Sequence, residues 1–321
     1  MSRSIAPRIK GVLSPVVTPF KSDYSPDAER FVRHCRWLLS NNVGLAVFGT
    51  NSEGNSLSVE ERMALLERLV EAGIDPARMM PGTGCCAISD SVRLSSHAVK
   101  LGCGGVLMLP PFYYKSVSDE GLYRNYAQII EQIGDARLKI YLYQIPPVSQ
   151  VAISVALIER LLKNYPQNIG GIKDSSGDWS YTKTVLDAFR GSGFDVFAGT
   201  ETILLATMRG GGAGCISATA NVNPAPIHSL FETWEGSDAD AQQESLNAVR
   251  RVFQKHPMIP ALKQAIAHWN NDPGWSKVRP PLVELSNGQA SVLVAELTQR
   301  GFHMPGLRAL AEAFDSPMVM T

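Results

Sequence analysis

Short apolar runs recur along this chain, each followed by a longer stretch with helical spacing. The runs cover 11–18, 44–49, 79–82, 105–109, 138–143, 170–173, 195–198 and 213–217. They are rich in Val, Ile, Leu and Met and lack strict alternation, as expected of strands covered on both faces. Between them, Ser58-Val59-Glu60-Glu61 reads as a capping box ahead of an apolar stripe of Met63, Leu66 and Val70. Leu122, Tyr126, Ile129, Ile130 and Ile133 keep helical spacing within 118–133, and 154–162, 179–189 and 200–208 behave alike. Gly73, Gly102 and Gly134 each follow a helical stretch where a C-cap belongs.

Eight strand-and-helix units within about 230 residues predict a closed parallel (β/α)8 TIM barrel. The rival is an open, doubly wound sheet. No Gly-x-Gly-x-x-Gly opens the first helix, which weakens the dinucleotide-binding form of that rival. The glycine run at 210–214 precedes a strand and reads as a tight turn rather than a phosphate cradle. Beyond about residue 225 the pattern becomes helical, over 239–255, 259–269, 290–300 and 307–314, punctuated by Pro257, Pro260, Pro273, Pro280 and Pro281. Residues 1–235 are therefore read as a catalytic barrel and 236–321 as a C-terminal helical appendage.

Composition narrows the function classes. The 321 residues are 45% hydrophobic, enough for a sizeable core. Acidic and basic residues balance at 30 each, and no basic stripe points to nucleic acid. No apolar run reaches the roughly 18 residues of a membrane span. Basic residues at 1–10 are followed by no apolar segment, so no secretory signal is expected. The five cysteines, Cys35, Cys85, Cys86, Cys103 and Cys215, have no zinc-site spacing, and reduced thiols in a cytoplasmic protein are expected. No HxH, HExxH, Asp-rich strand end or GxSxG occurs, so neither a metal nor another cofactor is expected, and an acyl hydrolase is disfavoured.

Polar residues gather where a barrel keeps its chemistry, at the carboxyl ends of strands. The second run ends in Gly49-Thr50-Asn51-Ser52-Glu53-Gly54, the fourth in Pro110-Pro111-Phe112-Tyr113-Tyr114, the fifth in Tyr143-Gln144-Ile145-Pro146, the sixth in Lys173 and the eighth in Ser217-Ala218-Thr219. Singly, such residues cap helices or shape turns. Together they surround one lysine, whose apolar setting disfavours the ammonium form and favours a nucleophilic amine.

These motifs, in order, resemble the dihydrodipicolinate synthase / N-acetylneuraminate lyase superfamily of Schiff-base enzymes. Val16-Val17-Thr18-Pro19-Phe20, Pro81-Gly82-Thr83-Gly84, Pro111-Phe112-Tyr113, Tyr143-x-x-Pro146, Gly171-Ile172-Lys173-Asp174 and Gly214-Cys215-Ile216-Ser217 carry the likeness from about residue 11 to 225. The resemblance implies a homo-oligomer, a dimer or tetramer, acting on pyruvate or another 2-oxo acid. It implies an imine on Lys173, with Tyr143 handling protons, Thr50 relaying them and Tyr113 as the second tyrosine, often borrowed across a dimer interface. Asn51, Ser52 and the amides after Gly49 would hold the substrate carboxylate, and Ile216 would line the pocket. A phenol, with an ordinary pKa of about 10, needs such a relay to serve near neutrality.

Two departures bear on the substrate. Asn51 and Ser52 replace the second hydroxyl and the glycine of the common family loop, and Val148 stands where members that use aspartate semialdehyde carry an arginine. Three readings stay open: an aldolase or dehydratase for 2-oxo acids, including sugar-derived 2-keto-3-deoxy acids; 4-hydroxy-tetrahydrodipicolinate synthase; and a non-catalytic small-molecule-binding barrel.

Overall fold

The computed structural model describes residues 8–309. Seven strands form one parallel sheet: β1 (Gly11–Ser14), β2 (Gly44–Leu45), β3 (Val106–Met108), β4 (Ile140–Gln144), β5 (Ile169–Asp174), β6 (Asp195–Ala198) and β7 (Gly214–Ile216). Their order is β2-β1-β7-β6-β5-β4-β3. Residues 79–82 join its two ends, since Met79 bridges Leu45 and Gly82 bridges Leu107, both parallel. Met80 N donates to the Leu45 carbonyl at 2.8 Å, and Thr83 N to the Leu107 carbonyl at 3.0 Å. The sheet thus curls into a TIM-like α/β barrel. The strand expected at 79–82 is present only as isolated bridges, because Pro81 has no N–H to extend a ladder.

Helices cover the outside: α1 (Ala28–Ser40), α2 (Val59–Glu71), α3 (Ile88–Leu101), α4 (Asp119–Ile133), the single turn α5 (Pro146–Ser149), α6 (Val155–Asn164), α7 (Trp179–Ala188), α8 (Leu204–Arg209) and α9 (Pro224–Glu232). Then come α10 (Ala239–Phe253), α11 (Met258–Trp269) and α12 (Asn287–Gln299). Of the helix expected over 307–314, residues 307–309 are helical and the rest lies outside the described residues. Ser58 and Glu61 form the expected capping box of α2. The stretch 200–208 is not one helix. A 3-10 turn, Glu201–Ile203, precedes α8, and there Glu201 N turns aside to donate to Ser217 Oγ at 3.2 Å.

Side chains sort by the two-residue period of a strand. On β6, Val196 joins the cluster under the helices while Phe197 joins Leu13, Tyr141 and Ile216 in a separate cluster; on β7, Cys215 and Ile216 divide in the same way. The larger cluster runs from Phe31 and Trp37 of α1 to Phe253 of α10 and Leu262 of α11. The last strand, β7, pairs with the first, β1, inside the sheet. There Gly214 has a φ of 137°, and a Cβ would strike the Gly11 backbone, so only glycine fits. Asn221 clips the last loop to the first, accepting from Val17 N at 2.9 Å and donating to the Pro15 carbonyl at 3.1 Å.

Candidate active site

β4 and β5 set Tyr143 and Lys173 opposite each other in parallel register. Both are buried, each with 2% of its surface exposed. Lys173 Nζ lies 4.2 Å from the centre of the Tyr143 ring. Tyr143 Oη stands 3.2 Å from Thr50 Oγ1. Ile216 packs in the same apolar cluster as Tyr143 and Phe197. Four of the residues singled out from the sequence therefore meet inside one barrel, although they come from four different strand ends.

The turn 49–54 is a compact, strained loop. Phe48 just before it and Glu53 within it have left-handed φ values of 63° and 55°. The Gly49 carbonyl accepts from Ser52 N and Gly54 N, each at 3.1 Å, and the Thr50 carbonyl accepts from Glu53 N at 3.1 Å. A Cβ at Gly54 would collide with the Phe48 carbonyl, which explains the glycine there. Thr18 Oγ1 ties the loop to the extension of β1 by donating to the Ser52 carbonyl at 2.7 Å. The amides of Thr50 and Asn51 pair with no acceptor among the described residues. Adjacent unpaired N–H groups in such a turn suit an anion. The Ser52 hydroxyl is fully buried without a partner.

Tyr113 is placed differently. It is 73% exposed and meets Tyr114 edge-on at 5.2 Å. Among the described residues it makes no hydrogen bond to Thr50 or Tyr143, so a single chain does not bring it to Lys173. Val148 projects from α5 with 61% of its surface exposed.

Two buried polar clusters escaped the sequence reading. Beyond β6, Glu201 accepts hydrogen bonds from Ser217 Oγ and Thr219 Oγ1 and pairs with Arg250 of α10 at 3.2 Å. Burial, with the Glu201 charge adding to it, pushes the Cys215 thiol well above its usual range. Below the turn 49–54, Glu53 pairs with Lys263 of α11, both side chains fully buried. Arg250 shares its helix with many charged residues and reads as a solvated face. Lys263 did leave a signal, as a lone charge within the apolar sequence Met258 to Ile266. Beside Lys173, Asp174 is buried and accepts from Thr182 Oγ1 at 2.5 Å and Ser176 N at 2.9 Å, shaping the turn after β5; burial raises its carboxyl pKa. Among the described residues no group of three or more His, Cys, Asp or Glu is arranged to hold a metal ion.

The sequence matches the dihydrodipicolinate synthetase family across residues 8–300. The chain belongs to that family. It is an enzyme of the family's lyase type. An uncharacterised DapA-like lyase of Chloroflexus aurantiacus is 34% identical over 290 residues, covering 89% of this chain and 95% of that one. A crystal structure of dihydrodipicolinate synthase from Agrobacterium tumefaciens superposes with a TM-score of 0.84 at 31% identity, covering 91% of this chain and 99% of that one. YagE of E. coli K12, a prophage protein of the same family solved in complex with pyruvate, gives a TM-score of 0.84 at 26% identity, with 92% and 99% covered. No helix of the described residues is long and apolar enough to cross a membrane.

Proposed function

We propose that this enzyme forms an imine between Lys173 and a 2-oxo acid and then breaks a bond next to the imine carbon, as an aldolase or dehydratase. The observation that supports it most is the assembly of Lys173, Tyr143 and Thr50 beside a turn with two unpaired amides. The substrate carboxylate takes the amides of Thr50 and Asn51, with the Asn51 side chain and Ser52 as neighbours, and this fixes the ketone over Lys173. The free amine adds to the keto carbon, forming a C–N bond. Tyr143, relayed by Thr50, returns a proton to the departing hydroxyl, and water leaves. The resulting iminium accepts the electron pair of the breaking bond. In an aldol cleavage, the hydroxyl proton of the leaving aldehyde goes to the phenolate, the enamine takes up a proton, and water releases pyruvate from Lys173. Ile216 closes the apolar side of the pocket.

The absence of an arginine at Val148 favours a polyhydroxylated substrate over aspartate semialdehyde, because no bidentate clamp for a second carboxylate stands there. The Agrobacterium tumefaciens likeness favours the second reading, 4-hydroxy-tetrahydrodipicolinate synthase. One assay separates them. A panel of 2-keto-3-deoxy sugar acids is scored for pyruvate release or water loss, alongside pyruvate-dependent consumption of aspartate semialdehyde. Turnover of a deoxy acid with no semialdehyde consumption supports the first reading; the converse overturns it, and inactivity on both removes both readings in favour of another 2-oxo acid.

The same reading makes the protein a homo-oligomer in which the exposed Tyr113 enters a neighbouring copy's site. It divides the chain into a barrel, 1–235, and a helical region, 236–321, supported by the lack of any strand after Ile216 among the described residues. It also places the enzyme in a reducing, cytoplasmic setting, in keeping with five free cysteines.

A further inference from the structure

Glu53 ends the turn 49–54 and faces away from the imine chemistry. One carboxylate oxygen accepts from Lys263 Nζ, and the other accepts from Arg279 N at 2.8 Å. Lys263 Nζ also donates to the Lys277 carbonyl at 2.7 Å and lies 4.4 Å from the centre of the Phe20 ring. The Arg279 guanidinium donates to the Ser56 carbonyl at 2.6 Å, to Glu61 at 2.8 Å and to the Tyr24 carbonyl at 2.9 Å. Both ends of the segment from Glu53 to Ser56 are thus held from the C-terminal part of the chain.

Stability does not account for this arrangement. Taking two charges out of water costs about as much as their attraction returns, so a buried ion pair is a poor stabiliser. At Lys263 burial outweighs the pull of Glu53 and of Glu284, Arg279 adds repulsion, and the amine is brought down to about 8. Left-handed backbone at a residue with a side chain is unfavourable as well, and it persists where its surroundings enforce it. Glu53 has that backbone two residues after Asn51, the nearer of the unpaired amides.

We propose that the Glu53–Lys263 pair is a positioning device that holds the turn 49–54 so that the Thr50 and Asn51 amides converge on the carboxylate of the 2-oxo acid. Lys263 is then a determinant of carboxylate recognition, although it touches no reacting atom. The inference rests on the imine reading above. Protonated Lys263 restrains Glu53. Above its pKa the restraint weakens, and affinity for the carboxylate falls while affinity for an uncharged ketone does not.

The test compares pyruvate with methyl pyruvate in the full chain, using borohydride trapping against ketone concentration. Lys263→Met should raise the half-saturating pyruvate by about tenfold or more and leave the ester within about twofold, because small misplacements of a binding group are costly. Lys263→Arg should recover part of the loss. Equal weakening of both ketones, or none, overturns the proposal. Should Lys263→Met fail to fold, the wild type decides. Its pyruvate-to-ester ratio of half-saturation should climb between about pH 7 and about pH 9.5 as the lysine loses its proton, and a flat ratio overturns the proposal. If neither ketone is trapped in the wild type, the imine reading fails by itself, and the same ratio from calorimetric binding supports or overturns the positioning role.

Discussion

At the scale of single residues, the proposed chemistry needs Tyr143 as both neighbour and proton carrier to Lys173. Its ring lies against the amine and its hydroxyl reaches Thr50. Tyr143→Phe keeps the ring and removes the proton, so turnover should fall about 10²-fold or more, with little change in the melting midpoint; wild-type turnover in that variant would remove the assigned role. Lys173, Tyr143 and Thr50 were legible as neighbours because a barrel collects the ends of its strands, so position within a motif becomes position in space, whereas Ile216 was expected only from the family resemblance. The partners of Lys263 and Arg250 were not legible, since a charge on a helix shows its partner only once the far elements have packed. Tyr113 was legible as a motif and yet lies exposed, because one chain does not supply its surroundings.

Among the elements, the sequence located the strands and overstated the first two, while 195–198 matches β6 and 170–173 falls short of β5. The expected runs 11–18 and 44–49 contain pairing strands of four and two residues. Pro15 interrupts the first, and the left-handed Phe48 belongs to the turn that follows the second. The residues beyond the assigned strands still hold barrel and loop together: Ala46 N donates to the Ser14 carbonyl at 2.8 Å, Gly82 N to the Val47 carbonyl at 2.7 Å, and Thr18 Oγ1 to the Ser52 carbonyl at 2.7 Å. Helix α1 docks through His34, which lies 5.6 Å from the Trp37 ring and 5.1 Å from the Trp275 ring with neither nitrogen hydrogen-bonded. Burial pushes this imidazole down from 6.5 to about 4. Below pH 6.5 the unfolded chain therefore takes up a proton that the folded chain refuses until about pH 4. Stability is full above that window and is lost as the pH falls through it, by up to about 3 kcal/mol. Denaturant titrations across that range should show this slope in the wild type and a shallower one in His34→Phe; identical slopes would assign the acid sensitivity elsewhere.

For the whole molecule, barrel and C-terminal helices act together, since Lys263 and Arg279 reach the turn beneath the site from beyond the last strand. The exposed pair Tyr113 and Tyr114 marks where a second copy is expected. Tyr114→Glu should lower the sedimentation coefficient towards that of one chain and reduce turnover with it; an unchanged assembly would place the contact elsewhere. The most direct measurement concerns the imine itself. The enzyme is incubated with pyruvate, reduced with borohydride, and examined by intact mass and peptide mapping. The expected result is one reduced three-carbon adduct per chain, carried by the peptide containing Lys173 and missing from Lys173→Met. An unmodified chain, or an adduct on any other lysine, would contradict it.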